Sequence, residues 1–104
     1  MVRGEIFWLR LPSPRGREQS GARYGVIVQA NELLALSTVL IAPTSRSAPP
    51  RSFRPTITID DSDTRVLVEQ LRTIDVSRLG DSVGGLSAPE LHALDAALED
   101  VLGL

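Results

Sequence analysis

Two apolar runs separated by a short polar turn constrain the fold of this chain more than any other feature. They predict strands over Tyr24–Gln29 and Ser37–Ala42, and neither run alternates polar with apolar residues along its length. A short continuous apolar run is typical of a strand that is buried on both faces. We therefore expect two neighbouring strands in a tightly curved or covered sheet, joined through a helical turn over Asn31–Leu34 that Asn31 caps.

Polar residues at the ends of these two strands indicate where a site forms. Arg23 precedes the first apolar run, and Thr44 and Ser45 follow the second. If the strands pair in antiparallel fashion, the start of the first lies beside the end of the second, so Arg23 and Thr44 meet at one end of the sheet. A guanidinium beside a hydroxyl is suited to holding a phosphate, because its planar donors match phosphate oxygens and it keeps its charge.

Most of the remaining chain is also predicted to be extended. A first strand, Glu5–Leu11, ends at Pro12, and its Trp8 is expected to pack in the core or at a subunit interface rather than stack on a base. Gly84-Gly85 is expected to break the chain before its last element. Between them we predict a short strand, an acidic turn, a long strand and a helical turn, which cover Thr56–Ile59, Asp60–Thr64, Arg65–Ile74 and Asp75–Leu79.

The last element is predicted to be a helix over Ser87–Leu102. Ser87 and Glu90 have the spacing of a capping box, Pro89 falls in the first turn, and a glycine follows the last residue as a C-terminal cap. The lone His92 lies next to the apolar face, and we interpret it as a surface residue rather than a catalytic one. That face is predicted to pack across the sheet and consists of Leu91, Leu94, Leu98 and Val101.

Two polar segments flank the predicted site. Pro12–Ala22 is a loop rich in proline, glycine and serine, and its charges beside Arg23 make it a candidate flap. Pro43–Pro55 contains three arginines and Phe53, a composition that suits a groove wall in which cations hold phosphates and an aromatic ring stacks on a base. An ordinary connection between strands remains the alternative for each segment.

The formal net charge of −2 conceals a division between the two halves of the chain. Residues 1–54 contain eight arginines and three acidic residues, a net charge of +5, whereas residues 55–104 contain three arginines and ten acidic residues, a net charge of −7. Charges beyond roughly 8–10 Å are screened by physiological salt. The basic half can therefore concentrate a polyanion although the whole chain is acidic.

Length and composition exclude several classes of protein. A chain of 104 residues predicts one domain covering residues 1–104, and burial of extra surface against a partner chain is plausible at this size. The chain has no cysteine and one histidine, and Asp60, Asp61 and Asp63 lack the spacing of a calcium loop, so we expect neither a metal nor a cofactor. No apolar run approaches the length of a membrane span, and we expect a cytoplasmic protein with no membrane partner.

Several short motifs follow one another in a fixed order along nearly the whole chain. They are Arg3-Gly4-Glu5-Ile6, Gly16-Arg17-Glu18-Gln19-Ser20-Gly21-Ala22-Arg23, Ala42-Pro43-Thr44-Ser45, Glu69-Gln70-Leu71-Arg72-Thr73-Ile74-Asp75 and Arg78-Leu79-Gly80. In this order they resemble the MazF/PemK family of toxin endoribonucleases. The chain departs from the family pattern at Tyr24, where proline is usual. An aliphatic residue usual between Pro43 and Thr44 is also missing, which leaves Thr44 and Ser45 as alternatives for the reactive hydroxyl.

The resemblance implies a mainly β fold with a C-terminal helix, an SH3-like small β-barrel that forms a symmetric homodimer. It further implies inhibition by a MazE-like antitoxin whose flexible acidic tail lies over the basic loops. Single-stranded RNA would compete for the same surface, and the division of charge along the chain fits both partners.

The implied reaction is sequence-specific cleavage of single-stranded RNA without a metal. The 2′-hydroxyl attacks the neighbouring phosphorus and leaves a 2′,3′-cyclic or 3′-phosphate and a 5′-hydroxyl. Arg23 would stabilise the charge of the transition state, the Thr44 hydroxyl would bind a non-bridging oxygen, and Glu18 is the candidate base. The predicted RNA-binding residues are Arg15, Arg17, Gln19, Ser45, Arg46, Phe53 and Arg54.

Two other classes of function stay open at this point. The related CcdB toxins share the fold but bind and poison DNA gyrase without cutting RNA, and the Arg23 and Thr44 motifs argue against that alternative. A third alternative is a catalytically silent barrel that serves as a binding module, because a fold does not determine an activity.

Overall fold

The computed structural model describes residues 1–12, 16 and 21–104, and it consists of a curved β-sheet and a C-terminal helix. Within these residues the strands follow the order β4-β5-β3-β2-β1-β7, and β6 also pairs with β3. Short 3-10 helices cover Asn31–Leu33, Val68–Gln70 and Val76–Arg78. The main elements are β1 (Glu5–Leu11), β2 (Gly21–Ile27), β3 (Thr38–Ser45), β4 (Thr56–Ile59), β5 (Ser62–Val66), β6 (Arg72–Asp75), β7 (Leu79–Gly85) and α1 (Ala88–Leu102).

The two apolar runs form the central antiparallel pair, β2 and β3, as the sequence predicts. Gly25 lies opposite Pro43 and Ile27 lies opposite Ile41. β3 is longer than predicted because it continues to Ser45, so Pro43 and Thr44 are buried strand residues and not the start of a loop. The end of β3 therefore carries its polar residues on a rigid strand.

Burial on both faces of the central strands is confirmed. Val26 packs into a cluster that includes Leu94 and Ala97 of α1, whereas Ile27 packs into a second cluster on the opposite face, with Leu9 of β1. Successive residues of a strand point to opposite faces, so an unbroken apolar run fills both clusters at once. The prediction that α1 packs across the sheet is confirmed by the complete burial of Leu94 and the partial burial of Leu91 and Leu98, but it is wrong for Val101, which is 37% exposed.

The long strand predicted over Arg65–Ile74 is wrong in its middle. The structure divides it into β5 and β6, which both pair with the same edge of β3 but differ in register by three residues. The additional residues form the 3-10 helix at Val68–Gln70, and the Leu67 amide still donates to the Pro43 carbonyl at 2.8 Å. Extra residues on one strand of a pair bend the sheet sharply, and this bend adds to the curvature of the sheet around its core.

The strand β7 was not predicted, because its sequence is polar and rich in glycine. It pairs with β1 through an irregular register with shifts on both sides of Phe7, so Gly84 and Gly85 extend the sheet rather than break the chain. Gly80 lies so close to β1 that an added Cβ would stand 2.9 Å from the Trp8 carbonyl oxygen. Pairing with β1, and not local sequence preference, determines this strand.

Two turns differ in detail from the prediction. Asn31 does not cap its helical turn; its Oδ1 instead accepts a hydrogen bond from the Arg3 amide at 2.7 Å and ties the N-terminal segment to the sheet. The acidic turn is confined to Asp60 and Asp61, which have positive φ angles of 50° and 62°. A two-residue hairpin with both central residues at positive φ matches the twist of its strands, which explains the tight connection of β4 to β5.

The capping box at the start of α1 is confirmed, and it also joins the helix to the sheet. Ser87 and Glu90 bond each other's amides, and Glu90 Oε2 accepts a further hydrogen bond from the Thr58 amide of β4 at 2.9 Å. Partial burial acts to raise the pKa of the Glu90 carboxyl, but the hydrogen bonds from Ser87 and Thr58 outweigh it and hold that pKa below its ordinary value of 4.5. The ionised carboxylate therefore stabilises the folded chain.

A Glu90→Gln variant tests this link through the pH dependence of stability. Because the pKa of Glu90 is lower in the folded chain, the unfolded chain binds more protons below pH 4.5, and stability is lost as pH falls through the folded pKa. We expect the free energy of unfolding in urea to fall less steeply between pH 6 and pH 3 in the variant than in the wild type. Glu99→Gln, at an exposed position of the same helix, is the matched control; equal slopes for all three proteins would contradict the link.

Candidate active site

An open cleft of about 510 Å³ lies where the start of β2 adjoins the end of β3. Its lining combines a half-buried arginine on one strand with hydroxyl groups on the next, and two aromatic rings from β1 and β2. The lining residues are Trp8, Ala22, Arg23, Tyr24, Thr44, Ser45, Arg46, Ser47 and Thr64. Four of the residues selected from the sequence, Arg23, Thr44, Ser45 and Arg46, are thus brought together.

The guanidinium of Arg23 is held at the end of β3, as the antiparallel pairing predicts. Its Nη1 donates to the Thr44 carbonyl oxygen at 3.0 Å, and the side chain is partly buried. A long side chain fixed in this way loses less freedom when it binds a ligand, so its charge is positioned in advance.

The hydroxyl of Thr44 makes a hydrogen bond that links β3 to β2. Thr44 is 3% exposed, and its Oγ1 donates to the Tyr24 carbonyl oxygen at 2.8 Å. Ser45 is partly exposed, and its Oγ lies 3.3 Å from Ser47 Oγ and accepts from the Ala48 amide at 3.2 Å. The two alternatives left open by the sequence therefore differ in exposure: both line the cleft, and Ser45 is the more exposed of the two.

The pairing of β2 with β3 indicates which face of the sheet carries each of the side chains of Arg23, Thr44 and Ser45. Extending the pairing of Gly25 with Pro43 by two residues places Arg23 opposite Ser45. Directly opposed residues of an antiparallel pair share a face, and their side chains are neighbours. Arg23 and Ser45 both line the cleft, and this extension of the register puts them on the same face of the sheet, while Thr44 faces the helix-side cluster next to Tyr24.

An aromatic pair forms one wall of the cleft, and the sequence reasoning missed it. Trp8 and Tyr24 face each other across β1 and β2 in an edge-to-face arrangement with ring centroids 4.8 Å apart. Tyr24 donates its hydroxyl to Asp60 Oδ2 at 3.3 Å. Trp8 is 41% exposed, so of its two predicted placements the core is wrong and the subunit interface stays a prediction. The pair depends on the β1–β2 register, for which the sequence carries no local signal.

Of the other residues predicted for the site, two lie outside the cleft and four lie outside the residues that the structure describes. Phe53 and Arg54 do not line the cleft: the Arg54 guanidinium carbon lies 5.5 Å from the Phe53 ring centroid, and Arg54 Nε is paired with Glu69 at 2.6 Å. His92 is exposed on α1, in agreement with its interpretation as a surface residue. The predictions for Arg15, Arg17, Glu18 and Gln19 fall outside the residues that the structure describes.

Among residues 1–12, 16 and 21–104, no group of three or more His, Cys, Asp or Glu side chains is arranged to hold a metal ion. In the same residues, no helix is both long enough and apolar enough to cross a bilayer.

The family model for the PemK-like, MazF-like toxin of type II toxin-antitoxin systems matches residues 2–102. The chain belongs to this toxin family. The identification agrees with the order of motifs along the sequence and with the position of Arg23 beside the end of β3.

Individual relatives of the toxin cover nearly its whole length. A protein of Mycobacterium tuberculosis named as a candidate toxin is 35% identical over 106 residues, which span 100% of this chain and 99% of the relative. The endoribonuclease MazF of Staphylococcus epidermidis is 31% identical over 109 residues, 98% of this chain and 91% of its own.

A solved structure confirms the fold. An endoribonuclease from a mycobacterial species, solved in complex with its cognate antitoxin, superposes with a TM-score of 0.84 over 100% of this chain and 96% of that chain, at 19% identity. The SH3-like barrel with a terminal helix, which the resemblance implied, is therefore confirmed for this toxin.

A pair of substitutions tests the different roles of Thr44 and Ser45 in stability. Thr44→Val removes the buried hydroxyl that bonds the Tyr24 carbonyl, and we expect it to lower the free energy of unfolding by about 1–3 kcal/mol. Thr44→Ser keeps the hydroxyl and is expected to lose less. Ser45→Ala, at the partly exposed neighbour, is the control with little expected change; equal losses at the two positions, measured by urea unfolding, would contradict the assignment.

Proposed function

We propose that this toxin is a metal-independent endoribonuclease that cleaves single-stranded RNA at a short specific sequence. The observation that carries the proposal is the Arg23 guanidinium bonded to the Thr44 carbonyl at the end of β3, in an open cleft that Ser45 and two aromatic rings also line. Relatives named endoribonuclease MazF, about 30% identical over nearly the whole chain, support the same activity.

The reaction uses the nucleophile that RNA itself carries. The 2′-oxygen attacks the adjacent phosphorus, the bond from phosphorus to the 5′-oxygen breaks, and the products are a 2′,3′-cyclic phosphate, or the 3′-phosphate formed from it, and a 5′-hydroxyl. A base takes the proton of the 2′-hydroxyl, and the departing 5′-oxygen takes a proton from solvent water, whose hydroxide then takes the proton held by the base. Glu18 is the proposed base, by its position in the family motif.

Arg23 acts in this scheme through its charge. A guanidinium remains protonated at any physiological pH, so it is poorly suited to pass a proton and well suited to stabilise the extra negative charge of a five-coordinate phosphorus. The Ser45 hydroxyl donates to a non-bridging oxygen of the same phosphate. Thr44 positions the site residues: its hydroxyl donates to the Tyr24 carbonyl oxygen, and its own carbonyl oxygen accepts from Arg23 Nη1.

The partners of the toxin follow from the same surface. We propose that an antitoxin with a flexible acidic tail covers the basic cleft and competes with RNA, since a related mycobacterial endoribonuclease was solved with its cognate antitoxin.

We also propose a homodimer acting in the cytoplasm. The exposed Leu33 and Leu36, 53% and 56% accessible, suit burial against a second copy, and sedimentation at twice the chain mass would support this.

A cleavage assay with defined RNA in excess EDTA tests the nuclease directly. We expect discrete cuts by the wild type, with 5′-hydroxyl ends, and a loss on the order of 10²–10³ in rate for Arg23→Ala. Ser45→Ala is expected to lose rate without losing stability, whereas Thr44→Ser keeps most of the rate. An acidic antitoxin tail added to the wild type should suppress the cuts.

The same assay separates the alternatives. Intact RNA together with capture of DNA gyrase would favour a CcdB-like poison, and intact RNA without gyrase binding would favour a silent binding module. Cuts that survive in Arg23→Ala, or that disappear on addition of EDTA, would overturn the proposed mechanism.

A further inference from the structure

A second arginine lies beside the proposed site, and neither the sequence reasoning nor the family motifs assign it a role. Arg65 belongs to β5 and lies directly opposite Ser45 in the β3–β5 pair. Its Nε and Nη1 atoms are buried and have no hydrogen-bond partner within the described part of the chain. No ion pair is recorded for it among those residues either.

Such an arrangement is costly for the free protein. Buried donors of a charged group that lack a partner carry their full desolvation penalty, and an apolar side chain of similar length would avoid it. An arginine at this position is therefore explained best by a ligand that supplies negative oxygens. Neutral base edges would leave the charge uncompensated, whereas a phosphate both pairs with the donors and matches the charge.

The position of Arg65 relative to Ser45 identifies which ligand it meets. The two residues are cross-strand partners, so they share a face and their Cβ atoms lie about 5 Å apart. Arg23 lies on the other side of Ser45, and because neighbouring strands are about 4.8 Å apart, the two arginine backbones are separated by about 10 Å. Arg65 is not one of the residues that line the cleft in the free chain, so its side chain must turn toward Ser45 for both arginines to contact one phosphate.

We propose that Arg65 is a second phosphate-binding arginine of the RNA site, on the opposite side of Ser45 from Arg23. The proposal rests on the proposed nuclease function and adds to it a specific phosphate contact made by β5. Arg23 and Arg65 together flank the bound phosphodiester, and the unpaired donors of Arg65 are satisfied when the nucleic acid is bound.

Binding of a nucleic acid that cannot be cleaved tests this contact. The probe is a single-stranded DNA oligonucleotide of mixed sequence, which keeps the phosphates and lacks the 2′-hydroxyl. For Arg65→Met we expect affinity roughly tenfold to a hundredfold weaker than wild type. We also expect the slope of the logarithm of affinity against the logarithm of salt concentration to fall by about 0.7, the value for one contact to a single strand.

Stability measurements distinguish this role from a purely structural one. Because Arg65→Met removes two buried donors that lack a partner in the described chain, we expect its thermal midpoint without ligand to equal or exceed that of the wild type. We also expect inorganic phosphate to raise the midpoint of the wild type more than that of the variant. Arg65→Lys keeps the charge without the planar donors, so it should retain the salt slope and recover part of the affinity.

Arg78→Met is the matched control, since it removes the same charge from an exposed position in the 3-10 helix before β7. Wild-type affinity and salt slope in Arg65→Met, or equal losses in Arg65→Met and Arg78→Met, would overturn the proposal. Either of these two outcomes would overturn only the Arg65 contact, and the proposed nuclease function would still hold if the wild-type protein cuts RNA in EDTA. Failure of the wild type both to bind the oligonucleotide and to cut RNA would overturn the function and the contact together.

Discussion

The antiparallel pairing of β2 with β3 is the constraint on which the rest of the structure depends. Only this register sets Arg23 beside the end of β3, where its guanidinium bonds the Thr44 carbonyl. A slip of one residue would turn every side chain of β2 to the other face, which would remove Ile27 from its cluster and Arg23 from the side of Ser45. The register is also held by close packing, because an added Cβ on Gly25 would stand 2.5 Å from Leu9 Cδ2. The contacts that stabilise the barrel therefore also align the site.

The three-residue shift between β5 and β6 decides which side chain accompanies Ser45. The β6 register, continued along β3 without a shift, would place the apolar Val68 opposite Ser45. The 3-10 helix at Val68–Gln70 takes up the additional residues, so Arg65 occupies that position instead. A local irregularity that bends the sheet thus also brings a cation into the neighbourhood of the hydroxyl. Irregular pairings are common next to active sites for this reason, since they redirect side chains without altering the core.

The sequence predicted those parts of the fold whose signals are local. The apolar runs of β2 and β3 and the capping box of α1 were sufficient to predict a buried strand pair and a terminal helix, and the strand pairing then brought Arg23 and Thr44 together. The break inside Arg65–Ile74 could not be predicted, because both halves are extended and pair with the same edge of β3. The choice between Thr44 and Ser45 also required the register, since adjacent strand residues face opposite sides and no local pattern says which side is open. Arg65 was missed for the same reason.

Thr44 and Arg65 show how buried polar atoms of two neighbouring residues can have opposite effects on stability. The Thr44 hydroxyl is satisfied within the sheet by the Tyr24 carbonyl, so its burial favours the fold. The buried donors of Arg65 have no such partner in the described chain, so their burial opposes the fold until an anion arrives. A ligand that pairs with Arg65 removes a penalty that the free protein carries, and it therefore stabilises the folded state more than the same ligand would at an exposed cation. In the proposed site, the pairing of β3 with β5 couples substrate binding to the stability of the barrel. It holds Arg65, which would bind the phosphate, directly opposite Ser45, whose hydroxyl would bind the same phosphate.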